Sequence, residues 1–307
     1  MFKVNVYVVL LFAVSILFSC KKNENVDANK ETILKGKAEI YVDETIVPIM
    51  EDETMVFESQ YDAKFTLISK SESEVLNSLF NRKAKIVVIA RNLTKKELNI
   101  FEQIKIVPKI TKFAIDGIAF VSNKSSNDTL IALNDVIDFM KGERSSKIKG
   151  LVFDNPNSST VSYMNNLTGL NVLAGKGVYT FKTNNEVLKF VSENDGMIGV
   201  VGVNWLSQPK DSMNSIISNI NVLSVKGLNK DGYYAPSQNN FAEGTYPLLR
   251  DLYIVNCQGA TGLGMGIASF VAGDIGQRIV LKSGLLPYQM PTRKLNIIHS
   301  RSNSEKK

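Results

Sequence analysis

Ala38-Glu39-Ile40-Tyr41-Val42, Lys64-Phe65-Thr66-Leu67-Ile68 and Lys85-Ile86-Val87-Val88-Ile89 are short apolar runs of strand length, and each leads into a stretch with helical spacing: Glu44 to Phe57, Ser71 to Phe80 and Lys95 to Gln103. Strand and helix alternating three times predict an α/β domain on a largely parallel sheet. Working outward, Lys109 to Val121 is longer and rich in Val, Ile and Phe, and predicts a strand that leaves one sheet and continues elsewhere. Leu133 to Lys141 and Asn185 to Glu193 read as helices, and Gly150 to Phe153 and Ile198 to Gly202 as buried strands, so the middle of the chain predicts a second α/β unit. A second crossover is expected at Leu252 to Val255. Closing helices follow from Thr261 to Ala272 and Gly273 to Ser283, with a final strand at 293–298. Two crossing strands around a middle unit imply two lobes, the first discontinuous (34–114 and 250–299), the second spanning 115–249, with a disordered tail at 300–307. No fixed-period repeat is visible.

The amino terminus carries a different signal. Lys3 precedes an apolar run from Tyr7 to Ser19, which ends at Cys20 and gives way to Lys21-Lys22-Asn23-Glu24. The run is short for a membrane span, and Ser19-Cys20 supplies the small residue and thiol of a lipidation site. Leu17-Phe18-Ser19-Cys20 resembles a bacterial lipobox, with Phe18 bulkier than usual. Residues 1–20 are therefore expected to be a lipoprotein signal peptide, Cys20 the acylated (palmitate-bearing) anchor, and 21–33 a polar tether.

Removing residues 1–20 from 307 leaves 287, enough for two medium domains, and the loss of Lys3 takes the formal charge from +6 to +5. That charge is scattered, so no nucleic-acid partner is expected. With two cysteines and one histidine, Cys257 has no disulfide partner once Cys20 is acylated, and His299 lies near the chain end. Zinc sites and Ser-His-Asp or Cys-His pairs lack their parts, so the sequence predicts no metal, no cofactor and no enzyme.

Chemistry concentrates where strands hand over to helices, because helix N-termini offer free N–H groups to anions. Three such junctions are polar: Asp43-Glu44-Thr45, Ser69-Lys70-Ser71, and Asp154-Asn155-Pro156-Asn157-Ser158-Ser159-Thr160. Asp43, Ser69 or Ser71, and Asn157 or Ser158 also read as ordinary helix caps, worth about 1 kcal/mol each. The third run is longer than one cap requires. Arg91, directly after an apolar strand, can present a guanidinium to an anion or simply sit exposed at the strand end. Gly259 to Gly266 lacks the spacing of a phosphate loop and reads as close helix packing. Trp205 and Tyr233-Tyr234 read as packing, and Glu51-Asp52-Glu53 as a solvent-facing stretch of helix.

These junctions and their order resemble the phosphate-binding proteins that feed the bacterial phosphate ABC transporter, in the two-lobed class II type of periplasmic binding protein. The resemblance covers about 34–298 and rests on Val42 to Thr45, Ile115 to Asn123, Leu133 to Glu143, Gly196 to Gly202, Thr245 to Val255 and Gly276 to Pro287. It implies a mixed sheet flanked by helices in each lobe, two crossover strands, and an oxyanion held between the lobes. Thr45 and Ser69 match the family's first two contacts, and Ser158, Ser159 and Thr160 match its Ser-Gly-Thr loop end, with Ser159 in place of glycine. Two departures stand out. Asp154-Asn155 lies where the family carries arginine, and Ala90-Arg91-Asn92-Leu93-Thr94 where it carries Ser-Asp. Arg91 is then expected to replace the cation and Asp154 the carboxylate, in a ligand set of Thr45, Ser69, Arg91, Asp154, Asn155, Ser158, Ser159 and Thr160. If Asp154 faces the cleft as an ionised acceptor, phosphate, which keeps a proton, is favoured over sulfate.

The resemblance implies an extracytoplasmic, lipid-anchored, monomeric protein of a bacterial cell envelope. It would deliver inorganic phosphate to permease subunits by hinge closure. The alternatives are a non-transport adhesion or signalling lipoprotein on the same fold, or a binder of another oxyanion such as sulfate.

Overall fold

A computed structural model of the chain describes residues 31–143, 148–173, 175–207, 209–229 and 231–292. The lipidation signal at Cys20, most of the tether and the strand expected at 293–298 lie outside the described residues. The three apolar runs form β1 (Gly36–Asp43), β2 (Ala63–Lys70) and β3 (Ile86–Ile89), and helices α1 (Val47–Gln60), α2 (Glu72–Phe80) and α3 (Lys95–Gln103) follow them. Each handover is capped. Asp43 caps a 3-10 turn (Glu44–Ile46) leading into α1, and Ser71 and Thr94 open capping boxes closed by Glu74 and Glu97.

The long expected strand is β4 (Lys109–Asn123). After it come β5 (Leu130–Ala132), α4 (Leu133–Met140), β6 (Gly150–Phe153), α5 (Ser159–Thr168), β7 (Val178–Thr180), α6 (Asn184–Glu193), β8 (Met197–Gly202) and the short α7 (Asn204–Ser207). Then follow α8 (Asn214–Ile217), β9 (Ile220–Val222), β10 (Ser224–Lys226) and α9 (Gln238–Ala242). The second crossover is β11 (Leu249–Asn256), ahead of α10 (Leu263–Ala272), α11 (Asp274–Lys282) and β12 (Leu286–Pro287).

One sheet runs β2-β1-β3-β11-β4-β8-β6-β7, with β9 and β12 also paired to β4, and β5 and β10 form a separate parallel pair. The sheet is mixed, as the resemblance implies, where the strand-helix alternation taken alone suggested a largely parallel one. β1 is parallel to β2 and β3, and β6 to β7 and β8, but β4 and β11 run antiparallel to each other and to their neighbours. The reason is topological: β4 carries the chain out of the first half and β11 carries it back, so the adjacent crossovers point in opposite directions. β4 pairs with β11 up to Gly117 and with β8 from Ile118 onward. Gly117 sits at that passage because a Cβ there would come within 2.5 Å of the Phe241 ring.

β3 is buried along its whole length and serves two cores by alternation. Ile86 and Val88 pack with Ile40, Val42, Phe57 and Ile267 on one face, and Val87 and Ile89 pack with Tyr41, Val75, Leu79 and Phe101 on the other. A third cluster, including Phe120, Val152, Phe153, Leu188 and Val200, fills the second half. In the glycine-rich segment the packing role holds: a Cβ on Gly266 would collide with the Ile33 carbonyl. Glu53 departs from the sequence reading. It lies on the packed side of α1, fully buried, and neither carboxyl oxygen has a hydrogen-bond partner. Among the described residues, no helix is long and apolar enough to cross a membrane.

Candidate functional site

β1, β2 and β3 end on the same edge of the first half, and the polar loop after β6 meets that edge from the second half. Thr45 Oγ1 donates to Asp43 Oδ2 at 2.8 Å, and Ser159 Oγ, from the start of α5, donates to the same oxygen. The two hydroxyl oxygens are themselves 2.9 Å apart. The Thr45 carbonyl accepts from Asn204 Nδ2 at 2.9 Å and Trp205 Nε1 at 3.1 Å. Trp205, expected only to pack, is therefore part of the contact between the halves. Lys210 and Glu51 add an exposed ion pair of 2.9 Å at the rim.

The cation inside this cluster is Arg250 of β11. Its Nε and Nη2 donate to Asp116 Oδ2 at 3.0 and 2.7 Å, and its Nη1 donates to Ser159 Oγ at 2.9 Å and Thr160 Oγ1 at 3.3 Å. Both members of the Arg250–Asp116 pair are buried. Gly202 makes room for it, since a Cβ there would lie 2.9 Å from Arg250 Nη2 and 3.1 Å from Asp116 Oδ2. Sequence reasoning missed this arginine. The signal was present in the Thr245 to Val255 segment, where a lone arginine interrupts a crossover strand.

Around Arg250 the cleft is acidic. Ser158 Oγ donates to Asp154 Oδ1 at 2.5 Å, and Asn184 Nδ2 bridges Asp154 Oδ2 at 3.2 Å and Glu44 Oε2 at 2.5 Å. Burial pushes the Asp154 carboxyl up to about 7, with the Asp43 charge adding to it, and Ser158, Arg250 and Asn184 opposing. Burial, with Asp154 adding, raises Glu44 to about 8. Burial also raises Asp43, against Arg250, Ser159 and Thr45, and takes Glu72 to about 7. Like charges 4 Å apart repel by roughly 4 kcal/mol at an effective dielectric of 20, so these groups do not all ionise together cheaply.

The structure brings together Thr45, Asp154, Ser158, Ser159 and Thr160, all buried. Asn155 stands behind them, shaping the loop: its Oδ1 accepts from Asn157 N at 2.9 Å and its carbonyl from Ser158 N at 2.8 Å. Ser69 stays apart, exposed within edge strand β2, because the strand runs one residue past it to Lys70. The buried hydroxyl at that handover is Ser71, whose Oγ donates to Glu74 Oε2 at 2.7 Å. Arg91 lies at the rim of a recess that also includes Glu72, Ser159, Tyr163 and Arg250. Its guanidinium is held by Glu97 through two bonds of 2.9 and 2.8 Å, with Glu72 at 3.6 Å from Nε. The described residues contain no cluster of metal-ligating side chains.

Comparison with known proteins gives the arrangement a context. The family model for the PBP superfamily domain matches residues 28–274. The phosphate-binding protein PstS of Borreliella burgdorferi is 25% identical over 298 residues, covering 92% of this chain and 97% of that protein. Among solved structures, one from Clostridium perfringens, described as a phosphate ABC transporter substrate-binding protein with bound phosphate, superposes with a TM-score of 0.67. It is 17% identical, over 83% of this chain and all of the other. An ABC-type phosphate transport receptor from Vibrio cholerae matches at a TM-score of 0.61 and 17% identity, over 82% of this chain and all of the other. At these identities the structural matches establish the two-lobed binding-protein fold.

Proposed function

We propose, from the premise that this chain belongs to the PBP superfamily, that it is an extracytoplasmic binding protein for inorganic phosphate serving an ABC transporter. The observation that carries the reading is the meeting of Thr45, in the turn after β1, with Ser159 and Thr160, at the start of α5, around Arg250. Hydroxyls from both halves, a guanidinium and the free N–H groups of a helix first turn are the donors that a tetrahedral oxyanion needs. The Borreliella relative, named for phosphate binding and aligned along nearly the whole chain, supports the same ligand.

In this reading Arg250 supplies the cation missing from the loop after β6, and Arg91 stays at the rim. The lobes are 34–114 with 250–299, and 115–249. The crossovers β4 and β11 act as the hinge, and closure brings α5 onto Thr45. Cys20 carries the lipid that holds the protein at the envelope, and permease subunits receive the ligand. Cys20→Ser is expected to release the protein from the membrane fraction, and unchanged partitioning would count against the anchor. The ligand is tested by calorimetric titration of residues 21–307 with phosphate and with sulfate at one pH and salt concentration. Saturable phosphate binding is expected. Absence of phosphate binding, or a preference for sulfate, overturns the assignment.

A further inference from the structure

A fully ionised oxyanion only accepts hydrogen bonds, and each hydroxyl has one hydrogen to give. Thr45 and Ser159 both direct theirs at Asp43 Oδ2, and Ser158 directs its own at Asp154 Oδ1 while accepting from Val161 N at 3.2 Å. Of the hydroxyls of Thr45, Ser158, Ser159 and Thr160, three are thus engaged by the protein's own carboxylates. Arg250 is shared in the same way between Asp116 and the hydroxyl oxygens. With Asp43 and Asp154 ionised, an entering anion finds its donors taken and negative charge beside it.

We infer that the cleft takes up protons together with its oxyanion, at Asp43 and Asp154, so that capture and release of the ligand are coupled to pH. The inference rests on the oxyanion reading above. A proton on each carboxyl frees the hydroxyl hydrogens of Thr45, Ser159 and Ser158 to turn to the ligand, removes two like charges, and makes each carboxyl a donor. The protons come from solvent, and no covalent bond changes.

The groups facing Asp43 are Thr45 and Glu44 on its own turn, Glu72 of α2, Asp154 of the loop after β6, Ser159 of α5 and Arg250 of β11. Those facing Asp154 are Ser158, Asn184 of α6, Glu44, Asp43 and Arg250. Arg250 alone among these is cationic; Arg91 reaches Glu72 but is bound to Glu97. Burial already holds the Asp154 proton to about 7, and a bound anion adds to that hold. The sign follows: affinity is greatest at low pH and falls as pH rises through this range, by about tenfold per pH unit for each proton taken up. Ionised, Asp154 accepts a hydrogen bond from a protonated ligand oxygen, as the sequence suggested. Protonated, it donates, so discrimination against sulfate also weakens as pH falls.

The test is calorimetry with inorganic phosphate between pH 5.5 and 8.5, in pairs of buffers of different ionisation enthalpy, on the mature chain and on Asp154→Asn. Phosphate titrates in the same range, and the variant subtracts that contribution. The wild type is expected to take up about one proton more than Asp154→Asn at pH 8, and to lose affinity about tenfold more steeply per pH unit. Equal proton counts overturn the inference while leaving phosphate binding intact. No phosphate binding by the wild type at any pH overturns the oxyanion reading itself. Should Asp154→Asn fail to fold, carboxyl-carbon NMR of the wild type at pH 8 decides: saturating phosphate is expected to protonate the buried aspartates, and carboxyls that stay ionised overturn the inference.

Discussion

Arg250 and Arg91 both border the cleft, and their surroundings make them different chemical objects. The Arg250 side chain is 2% exposed and its partner Asp116 not at all, whereas Arg91 is 36% exposed. Arg91 is neutralised locally. Glu97, six residues on, closes the capping box of α3 by accepting from Thr94 N at 2.7 Å, and the same carboxylate grips the guanidinium in two parallel bonds. Arg250 has no local partner. It meets Asp116 across the two crossovers, and Ser159 and Thr160 from the other half of the molecule. A position just after a strand therefore says little about which cation serves the cleft. Depth and the origin of the counter-charge decide it.

The largest expected effect comes from Arg250→Met, which leaves Asp116 charged, buried and unpaired. Loss of about 3–5 kcal/mol in urea unfolding and loss of phosphate binding are expected. Adding Asp116→Leu should restore most of the stability without restoring binding. Phosphate affinity surviving Arg250→Met would reverse the roles of the two arginines.

Glu53 sharpens the contrast from another side, being buried like Arg250 but without any partner oxygen or cation. Burial, with Asp52 adding, raises its carboxyl from 4.5 to about 9. At neutral pH the folded chain therefore holds a proton that the unfolded chain has released, and stability is lost as pH climbs from the unfolded to the folded value. By pH 7 that loss is on the order of 3 kcal/mol. Glu53→Gln, which does not titrate, should be more stable than wild type by that order at pH 7 and no more stable at pH 4. Thermal unfolding at both pH values checks it, and a gain independent of pH would mean that Glu53 reaches water.

The smallest effects are expected at the surface. Arg91→Ala should cost below about 1 kcal/mol, as exposed ion pairs do, and change phosphate affinity by no more than a few-fold in calorimetry. Ser69→Ala should be silent where Ser71→Ala loses about 1 kcal/mol of helix capping. A large loss of affinity at Arg91 would show that it leaves Glu97 for the ligand.

Much of the fold was legible because its signals are local. β6 and α3 have the bounds read from the sequence, since a four-residue apolar run and a capped amphipathic turn need no distant partner. The three-residue strands β5, β7, β9 and β10 were not legible, being too short to carry a period and stabilised by pairing with segments far along the chain. Within the site, Thr45 and the Ser158 to Thr160 run stood out as polar residues at helix starts. Ser69 stood in for Ser71 because a strand two residues longer than the apolar run puts the first hydroxyl on an exposed edge and the second at the buried cap.

By itself, the sequence determined the order of strands and helices, the two crossovers, the hydroxyl-bearing helix starts and the poverty in histidine and cysteine. All of these are properties of composition and of spacing within about a dozen residues. Only the tertiary structure decided that the two crossovers lie side by side and antiparallel, that Glu53 is buried and that Arg250 lies among the hydroxyls of Ser159 and Thr160. Arg250 is 134 residues from Asp116 and 91 from Ser159. Desolvation, which gives that arginine and the surrounding carboxyls their chemistry, exists only once these segments have closed over one another.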